Sequence, residues 1–281
     1  MLRKEFINIH IKLQEEDFDL LYGVFFGLPF SGIEEKLDEV VATFTLEFWS
    51  ENKVQLIELI EKSGINAKII KEETIEDRNW NEEWEKKVPA IKVNERIGIA
   101  PEWKVPELNT DIKIAINPKM SFGTGEHSST RLMCILSEKI VKQDSFWIDV
   151  GTGTGVLAIL AVKLGAKSVL AFDNNYWAIE NAVENIKLNK VESKVKIQES
   201  DIESFEFPDC DGIMANLFLN LLLPSFKKLY TGLKAKKGDL LVSGILIYNK
   251  DEIIKAATNA GFELVNSITE DEWLAVHFRA L

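Results

Sequence analysis

The sequence predicts an α/β protein, with a doubly wound parallel sheet in its larger domain and a smaller α+β domain of the ferredoxin-like type before it. Three observations predict this fold class. Apolar runs alternate with stretches of helical length over the last two-thirds of the 281-residue chain, a glycine loop follows one of these runs, and the first third mixes strands and helices. We therefore expect an α+β domain at residues 1–76, a linker helix at 77–90 and the sheet domain at 91–281.

In the first domain, three strand-like segments alternate with two helical ones. FINIHIKL alternates apolar and polar residues from Phe6 to Leu13, the period of a strand with one buried face, and EEDFDLLYGVFF after it has helical character. VVATFTLEFW predicts a second strand, Ser50 is the expected N-cap of a helix that closes at Gly64, and NAKIIKEETI predicts a third strand. This βαβαβ order indicates the split ferredoxin type, although periodicity does not give its strand order.

The predicted linker contains DRNWNEEWEKK, where Trp80 and Trp84 share one helical face at i, i+4 spacing. Packing between neighbouring segments is the expected use of this pair. Residues 88–116 then predict short strands around Asn94 and the prolines Pro101 and Pro106.

The second domain alternates strand and helix. Five apolar runs each end at a small or acidic residue: SFWIDVG, SVLAFDN, KVKIQES, CDGIMANL and GDLLVSGIL. The stretches between them have helical length, which predicts a parallel sheet with helices on both faces. A last helix, KDEIIKAATNAG, and two strands, FELVNSI and WLAVHFRAL, complete the chain.

The loop after the first of these runs predicts a nucleotide-type site. Gly151, Gly153 and Gly155 form G-x-G-x-G, and Val156 stands where a dinucleotide fingerprint has its third glycine. The loop can bring backbone close to a ligand but is poorly matched to a pyrophosphate. In a doubly wound sheet such a loop lies at the carboxyl ends of the strands, where ligands bind.

Two carboxylates narrow the choice of cofactor. Asp149 and the loop backbone could hold the ammonium and carboxylate of an amino-acid tail, and Asp173, 22 residues beyond Gly151, lies where a carboxylate accepts both ribose hydroxyls. S-adenosylmethionine satisfies both demands, and a nicotinamide dinucleotide stays open as an alternative.

Charge and composition count against several function classes. The net charge of −12 disfavours a nucleic-acid partner. Residues 1–90 hold 11 Lys and Arg against 20 Asp and Glu, a balance of −9 that would suit a basic partner or would simply form a soluble acidic face. The N-terminus lacks the apolar core of a signal peptide and no segment approaches about 20 apolar residues, so we expect a cytoplasmic protein without a membrane span. Cys134 and Cys210 lack metal or redox spacing and predict buried free thiols; no metal constellation is present in the sequence.

Several segments together resemble one protein family. SFGTGEHSSTRL, DVGTGTGVLAILAVKLGA, MANLFLNLLL, LVSGIL and EDEWLAVHFR resemble the methyltransferases of ribosomal protein L11, and the segment DRNWNEEWEKKVPAIKVNERIGIAPEW resembles that family's connector. The resemblance is close from residue 77 to the end and architectural before it. It implies a Rossmann-like class I methyltransferase sheet domain that binds S-adenosylmethionine, and an N-terminal domain that recognises the ribosomal protein.

The resemblance also implies roles for individual residues. Its motifs mark cofactor contacts at Thr130, Gly151, Gly153, Asp173 and Asn216, and a loop closing over the methionine end at Phe122 and Gly123. The chain departs from the family's usual pattern at four positions, which are Thr152 and Thr154 in the glycine loop and Glu126 and Ser128 around the histidine. Since backbone groups dominate these positions, we expect cofactor binding to survive the changes.

The expected reaction is methylation of amino groups, the N-terminal α-amine, lysine side chains or both, on ribosomal protein L11. Asn216 is the candidate catalytic residue, because its carbonyl could orient an amine; capping of the strand end is the structural alternative. His127 could accept a proton or could bond locally. Methylation of another protein or of nucleic acid by the same fold, and a non-catalytic module that binds S-adenosylmethionine, stay open.

Overall fold

The computed structural model describes residues 6–25, 28–29, 31–75, 88–119 and 121–281. The chain divides into two compact units, Met1–Trp80 and Asn81–Leu281. Most of the predicted linker helix, including Trp80 and Trp84, lies outside the described residues. No helix in the described part of the chain combines the length and apolar character needed to cross a membrane.

The first unit has the ferredoxin-like fold. Its elements are β1 (Phe6–Lys12), α1 (Phe18–Phe25), β2 (Gly32–Lys36), β3 (Glu39–Thr45), α2 (Leu46–Lys62) and β4 (Lys68–Ile75). The four strands form an antiparallel sheet in the order β2-β3-β1-β4, so the strand between β1 and β2 is β3. This is the split βαβ arrangement that the sequence predicts. As the alternation in β1 requires, Ile7, Ile9 and Ile11 are buried and belong to the core of this unit.

Two details of the predicted first domain are wrong. The predicted order lacked β2, an edge strand whose sequence GIEEK is half-buried or exposed throughout and therefore carries little apolar signal. Helix α2 also begins at Leu46 rather than after Ser50, because Thr45 caps it by accepting a hydrogen bond from the Phe48 amide. Ser50 lies inside the helix, where its hydroxyl donates to the Leu46 carbonyl at 2.7 Å.

The second unit begins with a small sheet. Strand β5 (Ile91–Lys92) pairs antiparallel with β6 (Ile97–Pro101), which pairs parallel with β7 (Ile112–Ile116). The remaining helices are α3 (Ser128–Ile140), α4 (Val156–Leu164), α5 (Tyr176–Leu188), α6 (Leu219–Leu233) and α7 (Lys250–Ala260). The remaining strands are β8 (Phe146–Val150), β9 (Ser168–Asp173), β10 (Val195–Glu199), β11 (Gly212–Asn216), β12 (Asp239–Leu246), β13 (Phe262–Glu270) and β14 (Trp273–Ala280).

These last seven strands form one sheet in the order β10-β9-β8-β11-β12-β14-β13. The first five run parallel, and β14 is antiparallel to both of its neighbours. Alternate residues of β8 face opposite sides: Trp147 packs with α3 and α4 in one core, and Ile148 packs with α6 and α7 in the other. The predicted doubly wound sheet is thus confirmed. The strand order reverses between β8 and β11, which is where ligands of such sheets bind.

The two cysteines are buried free thiols, as predicted. Burial raises the pKa of each thiol to about 12, so neither is a nucleophile near neutral pH. A cluster of three or more potential metal-binding side chains is absent from the residues that the structure describes.

Candidate functional site

The glycine loop follows β8 at the point where the strand order reverses. Gly151, Gly153 and Gly155 have φ values of +66°, +54° and +81°, a conformation that residues with a Cβ rarely adopt. A Cβ at Gly153 would lie 2.3 Å from the carbonyl oxygen of Phe122, and one at Gly151 would lie 2.5 Å from Cδ2 of Leu217. The spacing of glycines is therefore explained by two close approaches of other segments to the loop.

Asp149 lies at the end of β8, directly under this loop, and is 1% exposed. Its Oδ2 accepts hydrogen bonds from the Thr152 hydroxyl at 2.6 Å and from the Ala158 amide at 3.2 Å, while Oδ1 has no partner. Burial raises the pKa of Asp149 to about 7, and the charge of Asp173 acts in the same direction. The residue thus offers a buried, unpaired acceptor next to the glycine loop.

Asp173 is the last residue of β9, the strand next to β8, and its side chain is hydrogen-bonded to the glycine loop. Its Oδ2 accepts from the Gly153 amide at 3.0 Å, and its Oδ1 accepts from the Asn175 amide at 3.0 Å. The side chain of Asn175 in turn caps α5. Because a carboxylate has about four lone-pair sites, half-buried Asp173 keeps acceptor capacity beyond these two bonds.

Asn216 ends β11 on the other side of β8. The β8–β11 register pairs Val150 with Ala215, so the next residues along, Gly151 and Asn216, leave the sheet side by side. Asn216 Oδ1 is buried and has no hydrogen-bond partner. The predicted residues Gly151, Gly153, Asp173 and Asn216 are therefore brought together at one edge of the sheet.

Thr130 lies in the first turn of α3 and is fully buried, and its hydroxyl oxygen also lacks a partner. Buried polar groups are normally paired, so each unpaired one needs an explanation. Within the described residues five buried side-chain atoms are unpaired, and three of them, in Thr130, Asp149 and Asn216, belong to residues that the sequence analysis singled out. A ligand that supplies hydrogen-bonding groups to them accounts for this pattern.

The segment of residues 121–127 packs against the glycine loop. The Thr154 amide donates to the Phe122 carbonyl at 2.9 Å, and the Thr154 hydroxyl donates to the Gly123 carbonyl at 2.8 Å. The Phe122 ring is 51% exposed, with its centroid 5.1 Å from that of His127. The His127 ring is itself 4.3 Å from that of Trp273. Phe122 and Gly123 therefore reach the site through backbone contacts, and the phenyl ring remains accessible.

Helix α3 is capped by the residue before it and not by a hydroxyl side chain of its own first turn, Ser128, Ser129 or Thr130. The N-cap is His127, whose Nδ1 accepts from the Ser129 amide at 3.2 Å, so these three residues lie inside the first turn. Burial lowers the pKa of His127, and the charge of Arg131 lowers it further. The imidazole is thus neutral near pH 7 and is engaged in a local hydrogen bond.

Three residues that support the site were not predicted. Arg131 holds the segment before α3 by donating to the carbonyls of Gly125 and Glu126 and by pairing with Glu270. Thr154 fixes Phe122 and Gly123, and Asn185 of α5 donates to the Thr154 carbonyl at 2.9 Å. The i, i+4, i+8 asparagines in NAVENIKLN could have indicated the last of these, but their partners are distant in sequence.

The strand order, with its antiparallel β14, and the glycine loop between β8 and α4 define a Rossmann-like class I methyltransferase domain. The family described as ribosomal protein L11 methyltransferase (PrmA) matches residues 29–280. The chain belongs to this family.

Individual relatives and a solved structure agree with the assignment. The chain is 37% identical to the ribosomal protein L11 methyltransferase of Chlorobaculum parvum over 280 residues, covering 95% of each protein. It is 35% identical to that of Chlorobaculum tepidum over 271 residues, covering 87% of this chain and 92% of the relative. The crystal structure of a ribosomal protein L11 methylase from Lactobacillus delbrueckii subsp. bulgaricus superposes with a TM-score of 0.61 at 29% identity, covering 68% of this chain and 99% of that one.

Proposed function

We propose that the protein is an S-adenosylmethionine-dependent protein N-methyltransferase that methylates amino groups of ribosomal protein L11, at the N-terminal α-amine, at lysine side chains or at both. The observation that carries the proposal is the unpaired Oδ1 of Asn216, buried at the end of β11 beside Gly151. Family membership supports the same reaction and substrate.

The residues present fit S-adenosylmethionine. Asp149 Oδ1 is an unpaired acceptor suited to an ammonium group, and Asp173 retains acceptor capacity suited to ribose hydroxyls. Between them the left-handed glycines expose backbone with no Cβ in the way. We assign Thr130 and the Phe122–Gly123 segment to the same site. When bound, S-adenosylmethionine supplies a methyl group already activated by its sulfonium.

Asn216 has the task of orienting the amine that accepts the methyl group. A neutral amine has N–H donors and one lone pair, so an N–H bond to Asn216 Oδ1 fixes the direction of that lone pair. The ammonium form of the substrate has to lose a proton before it can accept a methyl group. This loss costs less free energy for an α-amino group with a pKa of roughly 8 than for a lysine with a pKa of roughly 10.4. We assign no proton-accepting role to His127, because its Nδ1 accepts a bond from its own helix.

The first unit is the proposed docking domain for the ribosomal protein. Its residues 1–80 hold 9 Lys and Arg against 17 Asp and Glu, a balance of −8, which favours a basic partner through charge complementarity. We also propose a cytoplasmic location, since the proposed substrate is a ribosomal protein. No nucleic-acid contact is part of this proposal, because the net charge of −12 opposes it.

The test is methyl transfer from radiolabelled S-adenosylmethionine to dissociated ribosomes of a strain that lacks the enzyme, followed by separation of proteins from RNA. We expect label on L11. Asn216→Ala should lower the rate of methyl transfer at saturating S-adenosylmethionine by at least about 100-fold. Asn249→Ala, before α7, is the matched control and should behave as the unaltered protein. Label on RNA alone, or cofactor binding without any methyl transfer, would overturn the proposal.

A further inference from the structure

Helix α5 and its C-cap residue carry a row of three asparagines that bond to β7 and the residue after it. Asn181, Asn185 and Asn189 stand at i, i+4 and i+8 and therefore share one face of the helix. Asn181 Nδ2 donates to the Asn117 carbonyl at 3.0 Å. Asn189 bonds to both backbone groups of Ala115, accepting from its amide at 3.0 Å and donating to its carbonyl at 2.6 Å. These side chains thus connect the helix to the backbone of the small sheet and of the residue after it.

Asn185 makes a different pair of contacts. Its Oδ1 accepts from the Asn117 amide at 2.6 Å, and its Nδ2 donates to the carbonyl of Thr154 at 2.9 Å. The side chain is fully buried, and its two ends bond to segments 37 residues apart in the sequence. Of the three asparagines, Asn185 is the one whose bonds reach the glycine loop.

Thr154 is the residue through which this contact acts on the site. Its amide and hydroxyl hold the carbonyls of Phe122 and Gly123, and its own carbonyl is held by Asn185. Asn185 therefore bonds to Asn117 with one end of its side chain, and with the other end to Thr154, the loop residue that holds the two carbonyls. The side-chain amide of Asn185 therefore sets the distance between Asn117 and Thr154 at the proposed cofactor site.

We propose that Asn185 is a positioning residue for the cofactor: through Thr154 and Asn117 it holds the glycine loop in the binding arrangement before the cofactor arrives. The inference rests on the proposed function, since it concerns the same site. Preorganisation of this kind raises affinity, because the cofactor then does not have to order the loop. Without Asn185, the buried Thr154 carbonyl loses its side-chain partner and the loop can shift to find another.

Asn189 supplies the matched control. It lies four residues further on, at the C-cap of α5, and bonds to the backbone of β7, but its partners do not include the glycine loop. Asn185→Ala should raise the Kd for S-adenosylhomocysteine by about tenfold or more, whereas Asn189→Ala should change it by less than about twofold. Titration calorimetry measures both constants, and thermal unfolding checks that each variant is folded. Equal Kd changes in the two variants, or none in Asn185→Ala, would overturn the inference.

A second measurement uses the unaltered protein and does not depend on the folding of a variant. Hydrogen exchange of the Asn117 amide, bonded to Asn185, should slow when S-adenosylhomocysteine binds, whereas exchange of the Ala115 amide, bonded to Asn189, should not. The same response at both amides, or none at Asn117, contradicts a role for Asn185 in the site. Failure of the unaltered protein to bind the cofactor product would instead overturn the proposed function itself.

Discussion

The parallel strands of the seven-stranded sheet have a carboxyl edge, where the strands end, and an amino edge, where they begin. Each edge contains a buried aspartate, but the two carboxyl groups differ in their hydrogen-bond partners and in the direction of their pKa shifts. At the carboxyl edge, Asp149 has one oxygen without a partner and a pKa raised to about 7 by burial. At the amino edge, Asp239 Oδ1 accepts two bonds from Arg279, at 3.0 and 2.8 Å, and lies 2.8 Å from His277 Nε2. Burial alone would raise the pKa of Asp239, but its partners hold that pKa below the ordinary value.

This difference in pairing indicates that Asp239 stabilises the fold and that Asp149 is available to bind a ligand. A buried charge that is fully paired is held by the fold and resists removal, whereas a buried acceptor without a partner costs the folded protein free energy. A protein can retain an unpaired acceptor of this kind where a bound ligand supplies the missing hydrogen-bond donor. Pairing, more than residue type or burial, therefore distinguishes the two edges of this sheet.

The largest expected effect concerns glycines with positive φ at the two edges. Gly153→Ala would place a Cβ 2.3 Å from the backbone oxygen of Phe122, which cannot move without the 121–127 segment. We expect cofactor affinity to fall by at least about 1,000-fold, or roughly 4 kcal/mol. Gly165, at the amino edge, is the control: its φ is +112°, and an added Cβ would meet the movable side chain of Gln143.

Gly165→Ala should cost about 1 kcal/mol of stability through backbone strain and leave the cofactor Kd unchanged. Calorimetry for binding and denaturant unfolding for stability measure the two effects. If both variants lost affinity equally, the close approach at Gly153 would not be what the site requires.

The second prediction concerns Asp239. Asp239→Ala leaves His277 buried and Arg279 without its carboxylate, so the free energy of unfolding should fall by about 3 kcal/mol. Cofactor affinity should not change, since the residue lies at the opposite edge of the sheet from the glycine loop. Urea unfolding monitored by tryptophan fluorescence gives the first quantity. A loss of affinity with little loss of stability would reverse the roles of the two edges.

Much of this contrast could not be predicted from the sequence, for identifiable reasons. The glycine loop and the strands around it were predictable, because G-x-G-x-G directly follows an apolar run and Asp173 ends the next one. The start of α2 was not, since Leu46 to Trp49 favour strands locally while the cap at Thr45 and the burial of Trp49 favour a helix. The unpaired oxygens of Thr130, Asp149 and Asn216 depend on contacts that only the folded chain defines.

The third prediction uses pH. The folded-state pKa of Asp149 is above its ordinary value, so between these values the folded protein binds a proton that the unfolded chain does not. The contribution of Asp149 to stability without cofactor should therefore be fully present below the ordinary value of 3.8 and should be lost as pH rises toward 7. We expect this contribution to be about 4 kcal/mol, because a pKa raised from 3.8 to about 7 corresponds to roughly that difference in free energy.

The difference in unfolding free energy between the unaltered protein and Asp149→Asn, measured from pH 4.5 to 8, isolates this effect. The variant should gain relative to the unaltered protein as pH rises, because it has no charge to bury. Asp239 contributes in the opposite direction, since its pKa is lowered and its stabilisation is lost only as pH falls below the ordinary value. If the difference in unfolding free energy did not change with pH, the Asp149 carboxylate would be solvated and its pKa would not be raised by burial.

The smallest expected effect is a fraction of a proton released when the cofactor binds. An ammonium group at Asp149 Oδ1 would favour the carboxylate and lower its pKa, so binding near pH 7 should release about half a proton and binding at pH 8.5 almost none. Calorimetry in phosphate and in Tris buffer, which differ in ionisation enthalpy, counts the protons. Because the cofactor's own amine also titrates, the count must be compared with that for Asp149→Asn, which has no proton to give. Equal release by both proteins would show that the ammonium is held by backbone carbonyls, and the unpaired oxygen of Asp149 would then need a different partner.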